Sequence, residues 1–390
     1  MSDWFNDEDD DALQLPDIDL EVDGYRSQDL KDIQISSSLT AAAVALEERL
    51  QTHSPLNFRR PPSIDEKIFN KIVKEIVSVI DEVIPDAIIK PIGAAFHECG
   101  TFLNFAIDEK TREIKSVWFF FGMGVIICDK KGNEIQNISE LLVQLWIKKI
   151  QIKLHDDGIA QHSDIILKKN SYKLFFEHKT TPAKITLLFC ASEALKRSQL
   201  IRLYTRLCPN MIQVGYLYNT LIMTTPALHG ISNTPLCYLL IHFLQQTNRV
   251  GILPQNLVQI SSSSVINEQL SPLKTIPKYE ASSTNSVALL CYEFAKFYAS
   301  FNFAIFIIDI GQKELCFWTD SDGSNKSAMG IRCGFTGRNL AKSITSECTE
   351  AFVSKMKEII VAFENGNESE AFPSEIEEFA KKPLPPKSRK

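Results

Sequence analysis

The chain has 390 residues, 44% hydrophobic and 23% charged, enough for two domains, since single cores stop growing at roughly 250–300 residues. Its net charge of −6 is uneven: residues 1–33 hold twelve Asp/Glu against Arg26 and Lys31, or −10, and the rest of the chain carries +4. The acidity belongs to a tail, so whole-chain charge does not exclude an RNA-binding body.

Residues 1–60 read as a disordered acidic tail, acidic at first, then rich in Ser, Ala and Gln, ending in Arg59-Arg60-Pro61-Pro62. A tail that only solvates has no use for Trp4, Phe5, Leu15, Ile18, Leu20 and Val22 among its acids. These are candidate docking residues for a protein partner, placed along a sheet edge or in a groove. Residues 1–8 have neither the basic start nor the apolar stretch of a signal peptide. The longest apolar run, 117–128, is too short for a membrane-spanning helix. The expectation is a protein of the cytoplasm or nucleus with no membrane partner.

Ser63 and Glu66 form a capping box, and Ile64, Ile68, Ile72, Ile76, Ile80 and Val83 follow at helical spacing. Strands are expected over 87–92, 101–107 and 115–128, the last bounded by a turn at 129–132. Asn137 and Glu140 open another helix, with Ile138, Leu141, Leu142, Leu145 and Trp146 facing inward. Further strands are expected over 171–177 and 183–189. Helices follow near 192–207, 211–224, 234–247, 285–300 and 339–364, interrupted by a polar loop at 260–284 and strands at 303–309 and 314–318. The fold class is α+β. The division is 1–60 tail, 61–193 mixed sheet with helices, 194–376 mainly helical, and 377–390 a basic tail. Nine cysteines, with no C-x-x-C pair and mostly inside apolar runs, read as buried free thiols.

Four stretches in order resemble the terminal nucleotidyltransferases, the poly(A)/poly(U) RNA polymerase family. Residues 173–179 and 184–189 look like its paired strands before and at the third catalytic aspartate. Ala194, Leu195, Ser198, Leu200, Ile201, Tyr204 and Pro209 are similar to its next helix and turn. Residues 236–245 with 252–255 resemble the helix and turn of its poly(A)-polymerase-associated region. Gly334, Phe335, Asn339, Leu340 and Ala341 resemble its signature near the chain end. The resemblance implies two lobes, a nucleotidyltransferase domain over 61–193 and a helical central domain over 194–376, with a cleft between.

The family's reaction uses divalent cations held by three aspartates, two of them as Asp-x-Asp on one strand face. Here the third-aspartate position is Thr186, and the Gly-Ser turn is Gly93-Ala94. The Asp-x-Asp pair falls on Phe105 and Ile107 in one register, or on Val125 and Ile127 in another. Asp108 and Asp129 stand alone at strand ends. The positions implied to contact nucleotide are Arg197, Asn219, Met223, Thr234 and Arg338, none of the family's residue type. Hydrophobic framework retained while carboxylates, lysines and stacking ring are lost implies a degenerate member, not an enzyme, using no cofactor. His242, in an apolar helix, reads as a core residue, and Gly122-Met123-Gly124 lacks the later glycine of a phosphate loop. The expected function is an interaction or scaffold subunit of an RNA-processing or RNA-silencing complex, bound to protein partners through the tail and body. Two other readings stay open: a single-stranded RNA-binding module in the former cleft, and an active terminal RNA nucleotidyltransferase with its metal site elsewhere.

Overall fold

The computed structural model describes residues 37–52, 66–94, 99, 103–107, 114–129, 134–135, 137–168, 171–254, 286–318 and 327–372. The docking residues Trp4, Phe5, Leu15, Ile18 and Leu20, the 260–284 loop, Asp108 and the basic tail lie outside the described residues.

Six strands form one mixed sheet: β1 (Ile88–Ile92), β2 (Leu103–Ile107), β3 (Ile114–Ile126), β4 (Ala160–Lys168), β5 (Ser171–His178) and β6 (Ala183–Phe189). Their order is β1-β3-β6-β5-β4, and β2 also pairs with β3. The length of β3 lets one edge hold two partners end to end: β2 opposite its first half and β1 opposite residues 122–126, both antiparallel. Its other edge runs parallel to β6 over Phe119 to Val125. The sequence reading gives no element at 160–168; β4 forms as one arm of a hairpin with β5, from Ala160↔His178 to Lys168↔Ser171.

Alternation along the strands decides which side is core. Phe121, Met123 and Val125 of β3, with Ala183, Ile185, Leu187 and Phe189 of β6, face two helices, α2 (Glu66–Val83) and α3 (Glu140–Asp156). From α2 come Phe69, Ile72, Ile76, Val79 and Ile80; the Phe69 and Phe121 rings meet edge to face at 5.3 Å. From α3 come Val143, Ile147, Ile150 and Leu154. This corrects the expected inward face. Ile138 and Trp146 do pack partly on the core, but Leu141, Leu142 and Leu145 are exposed. The helix has two apolar stripes, and helical spacing alone cannot say which one meets the sheet.

Beyond β6 the chain is mainly helical: α4 (Ser192–Leu207), α5 (Asn210–Thr224), α6 (Asn233–Gln246), α7 (Val287–Ala299), α8 (Ser346–Glu364) and α9 (Glu368–Ala371). A small sheet, β8 (Cys316–Phe317), β7 (Phe306–Ile308) and β9 (Gly330–Ile331), stands among them. The expected helix over 339–364 begins only at Ser346. Asn339 instead holds a loop, accepting from the Ile331 and Ala341 N–H groups at 3.0 and 2.9 Å, and Thr345 caps α8 by accepting from Cys348 N–H. His242 is a satisfied core residue: Tyr298 Oη donates to the Leu239 carbonyl at 2.8 Å and receives His242 Nδ1–H at 3.0 Å. Burial pushes its pKa down to about 3.

The reading of 1–60 as disordered is corrected over 37–52, the part of that range within the described residues. Residues Ser37–Thr52 form a helix, α1, that packs against α7 and α8. Leu39, Ala42, Ala43, Leu46 and Leu50 are buried along one stripe. Glu47 caps α7 from outside, its Oε1 accepting from Ser286 Oγ at 2.8 Å and from Ala288 N–H at 3.1 Å. All nine cysteines are free; six are buried, Cys208 and Cys316 half-buried, and Cys190 exposed. No helix among the described residues is long and apolar enough to cross a membrane.

Candidate functional site

Thr186 fixes where to look. It lies on the β6 face opposite the α2/α3 core, between Gly122 of β3 and Phe175 of β5. Period-2 alternation gives this face Ile88, Lys90 and Ile92 from β1, Phe120, Gly122, Gly124 and Ile126 from β3, and Lys184, Thr186 and Leu188 from β6. None is a carboxylate. Glu177, on neighbouring β5, stands opposite Lys184 and pairs with it at 3.5 Å.

The two expected registers of the Asp-x-Asp strand do not reach Thr186. Phe105 and Ile107 lie on β2, which pairs only with the first half of β3. Val125 and Ile127 are buried on the opposite face, inside the core. The positions flanking Thr186 on its own face are Gly122 and, two residues earlier, Phe120. The signal in the sequence was the run Phe119-Phe120-Phe121-Gly122-Met123-Gly124-Val125, in which glycine alternates with large residues. The Gly122-Met123-Gly124 triplet is strand, not a phosphate loop.

Aliphatic side chains fill this surface. A Cβ at Gly122 would stand 2.9 Å from Ile92 Cγ1, and one at Gly124 would meet Leu195 Cγ at 3.0 Å and both Ala191 Cβ and Ile92 Cγ2 at 3.1 Å. Leu195 of α4 joins Ile88, Ile126 and Cys128 in a small apolar cluster, with Ile92 against it. The β1 turn is tied to the same helix. Gly93, at φ +66°, donates its N–H to Ser198 Oγ at 3.0 Å, while Ala94 packs against the core. Farther along, Asn233 Nδ2 donates to the Cys99 carbonyl at 3.1 Å, and Cys99 Sγ donates to the Met211 carbonyl at 3.6 Å.

The implied nucleotide-contact residues lie on α4, α5, α6 and the loop before α8. Arg197 is committed to an ion pair with Glu193 one turn earlier on α4. The same carboxylate oxygen accepts from Thr336 Oγ1 at 3.3 Å and Cys333 Sγ at 3.5 Å, so Arg197 sits beside the loop carrying Arg338. Arg338 itself is exposed. Asn219 is buried within α5, Met223 is half-buried near its end, and Thr234 is half-buried in the first turn of α6. Sequence reasoning missed Tyr238, whose buried phenol is raised by desolvation, with Cys333, Arg197 and Glu193 as weaker influences. Among the described residues no three His, Cys, Asp or Glu side chains are grouped so as to hold a metal ion. A hard divalent cation needs carboxylate oxygens, which β1, β3 and β6 do not supply on this face.

No family model and no curated protein matches the chain. Solved structures do. A Cid1 poly(U) polymerase with Mg 3′-dATP bound superposes with a TM-score of 0.60 at 12% identity, covering 82% of this chain and 95% of that one. The terminal uridylyl transferase 4 from Trypanosoma brucei with bound dUTP gives 0.59 at 10% identity, over 84% and 99%. An mtPAP in complex with UTP gives 0.56 at 18% identity, over 81% and 67%. The chain therefore has the nucleotidyltransferase fold of these polymerases.

Proposed function

We propose that the chain is a degenerate member of the terminal nucleotidyltransferases, with a poly(A)-polymerase-associated-like helical region, that serves as a non-catalytic interaction subunit of an RNA-processing or RNA-silencing assembly. The observation that carries this reading is the face around Thr186. Phe120, Gly122 and Thr186 stand together with no carboxylate on β1, β3 or β6, and Ile92, Ala191 and Leu195 occupy the space over the glycines. A hydroxyl cannot replace a bridging carboxylate at a divalent cation, so these residues do not suit the metal-assisted transfer of the similar polymerases. The commitment of Arg197 to Glu193 counts against the single-stranded RNA reading, which needs free cations in the cleft.

The test is extension of an RNA oligonucleotide by the purified full chain, with Mg²⁺ or Mn²⁺ and each ribonucleoside triphosphate in turn. No product is expected. Extension that disappears on Asp129→Asn would overturn the reading and place the metal site at the end of β3.

A further inference from the structure

We propose that the outer face of α3 docks an acidic amphipathic helix of a protein partner. The argument begins with spacing. Leu141, Leu145, Lys148 and Ile152 follow one another at intervals of four, three and four, which aligns them in one stripe. Val143, Ile147, Ile150 and Leu154 have the same spacing on the side buried against the sheet. Helix α3 is therefore apolar on two sides, the pattern of a helix covered on both. On the outer side Leu141 is 66% exposed, Leu145 47% and Ile152 59%. Leu142 flanks the stripe, and Leu167 lies on β4, the strand after α3. Both are exposed. The stripe runs about 17 Å, three helical turns, which suits a helix laid along it.

Charge selects the occupant. Lys148 within the stripe and Lys149 on its flank are both exposed, and the one acid on that flank, Asp156, comes a turn after Ile152 at the end of the helix. Among the described residues neither takes part in an ion pair, whereas Lys153, round the side of the helix, is held by Glu82 at 2.7 Å and Asp157 at 3.4 Å. In helix pairs the residues at and beside the seam choose the partner through charge. A second copy of the chain would bring four lysines into one turn with no acid among them, which opposes self-pairing. An incoming helix with Leu on its seam and Glu beside it meets both demands. This gives the proposed interaction role its kind of partner. It rests on that role for its purpose alone, because the stripe is there whether or not the chain transfers nucleotides, and RNA extension is read separately.

The experiment titrates the full chain against a fluorescein-labelled synthetic peptide of three heptads, Leu at the two seam positions and Glu at the flanking ones. Saturable binding is expected, weakened at least about tenfold by Leu145→Glu, a change at an exposed site that leaves the melting transition in place. The paired Lys148→Glu, Lys149→Glu variant is expected to prefer the same peptide with Lys in place of Glu. Four results would overturn the proposal. They are no saturable binding up to about 1 mM peptide, equal binding by Leu145→Glu, a wild-type dimer that Leu145→Glu converts to monomer, and binding to phosphatidylserine vesicles, lost in Leu145→Glu, where the peptide does not bind.

Discussion

Helix α1 offers the sharpest test of the fold, because its sequence reads as tail and its packing reads as core. Leu46 is fully buried against the α7/α8 layer, and truncating such a leucine to alanine costs about 2–5 kcal/mol through lost transfer energy and the cavity left behind. Each kcal/mol lowers the melting temperature of a domain of roughly 150–250 residues by about 2–4 °C, so Leu46→Ala should melt roughly 4–20 °C below wild type. Glu47→Ala removes an acceptor shared by Ser286 Oγ and Ala288 N–H, which should cost about 1–2 kcal/mol in the manner of a lost cap. Glu47→Gln keeps an oxygen acceptor without the charge and should recover part of that loss. Val44→Ala, at a half-exposed site on the same helix, serves as control and should stay within about 0.5 kcal/mol. Thermal and urea melts followed by circular dichroism read all four. If Leu46→Ala melts with Val44→Ala, α1 is not part of the folded body and the packing argument fails.

Three further outcomes are expected. Gly124→Val should destabilise by roughly 1–3 kcal/mol through overpacking, since even its Cβ meets Leu195, Ala191 and Ile92 within 3.1 Å; an unchanged urea midpoint would show that α4 does not press on β3. Tyr204→Phe should cost about 1–3 kcal/mol, because Leu253 N–H at 3.0 Å and Gln245 Nε2 at 2.8 Å both donate to its oxygen in a buried site, where desolvation pushes the phenol up to about 12. Burial lowers His242 to about 3 in the folded state against 6.5 unfolded, so as pH falls the unfolded chain takes up the proton first. Stability present above pH 6.5 should therefore be lost below it by about 1.4 kcal/mol per pH unit from this group. His242→Gln should flatten that slope between pH 6.5 and 4.5 in urea titrations, and equal slopes would assign the acid sensitivity to other groups.

Local periodicity was enough for most elements, because a strand or helix that buries one face writes that face into its own residues. The alternation of Ala183, Ile185, Leu187 and Phe189, the isoleucine ladder of α2 and the apolar run of α6 could be read in advance. So could the place of Thr186 on its strand, and the free, largely buried cysteines. What the sequence left undecided were choices between equivalents, made by parts of the chain far away. Two stripes of α3 had the same spacing, and the position of the sheet selected Val143 and Ile147 over Leu141 and Leu145. Two registers were open for the strand beside Thr186. The parallel pairing of β3 with β6 rejected both and set Gly122 there, because a shift of one residue exchanges the faces of a strand. Helix α1 has a narrow stripe of Leu and Ala that buries too little to hold a helix alone. It forms because α7 and α8 complete its burial and because Glu47 finds the open N-terminus of α7, a partner more than two hundred residues away along the chain.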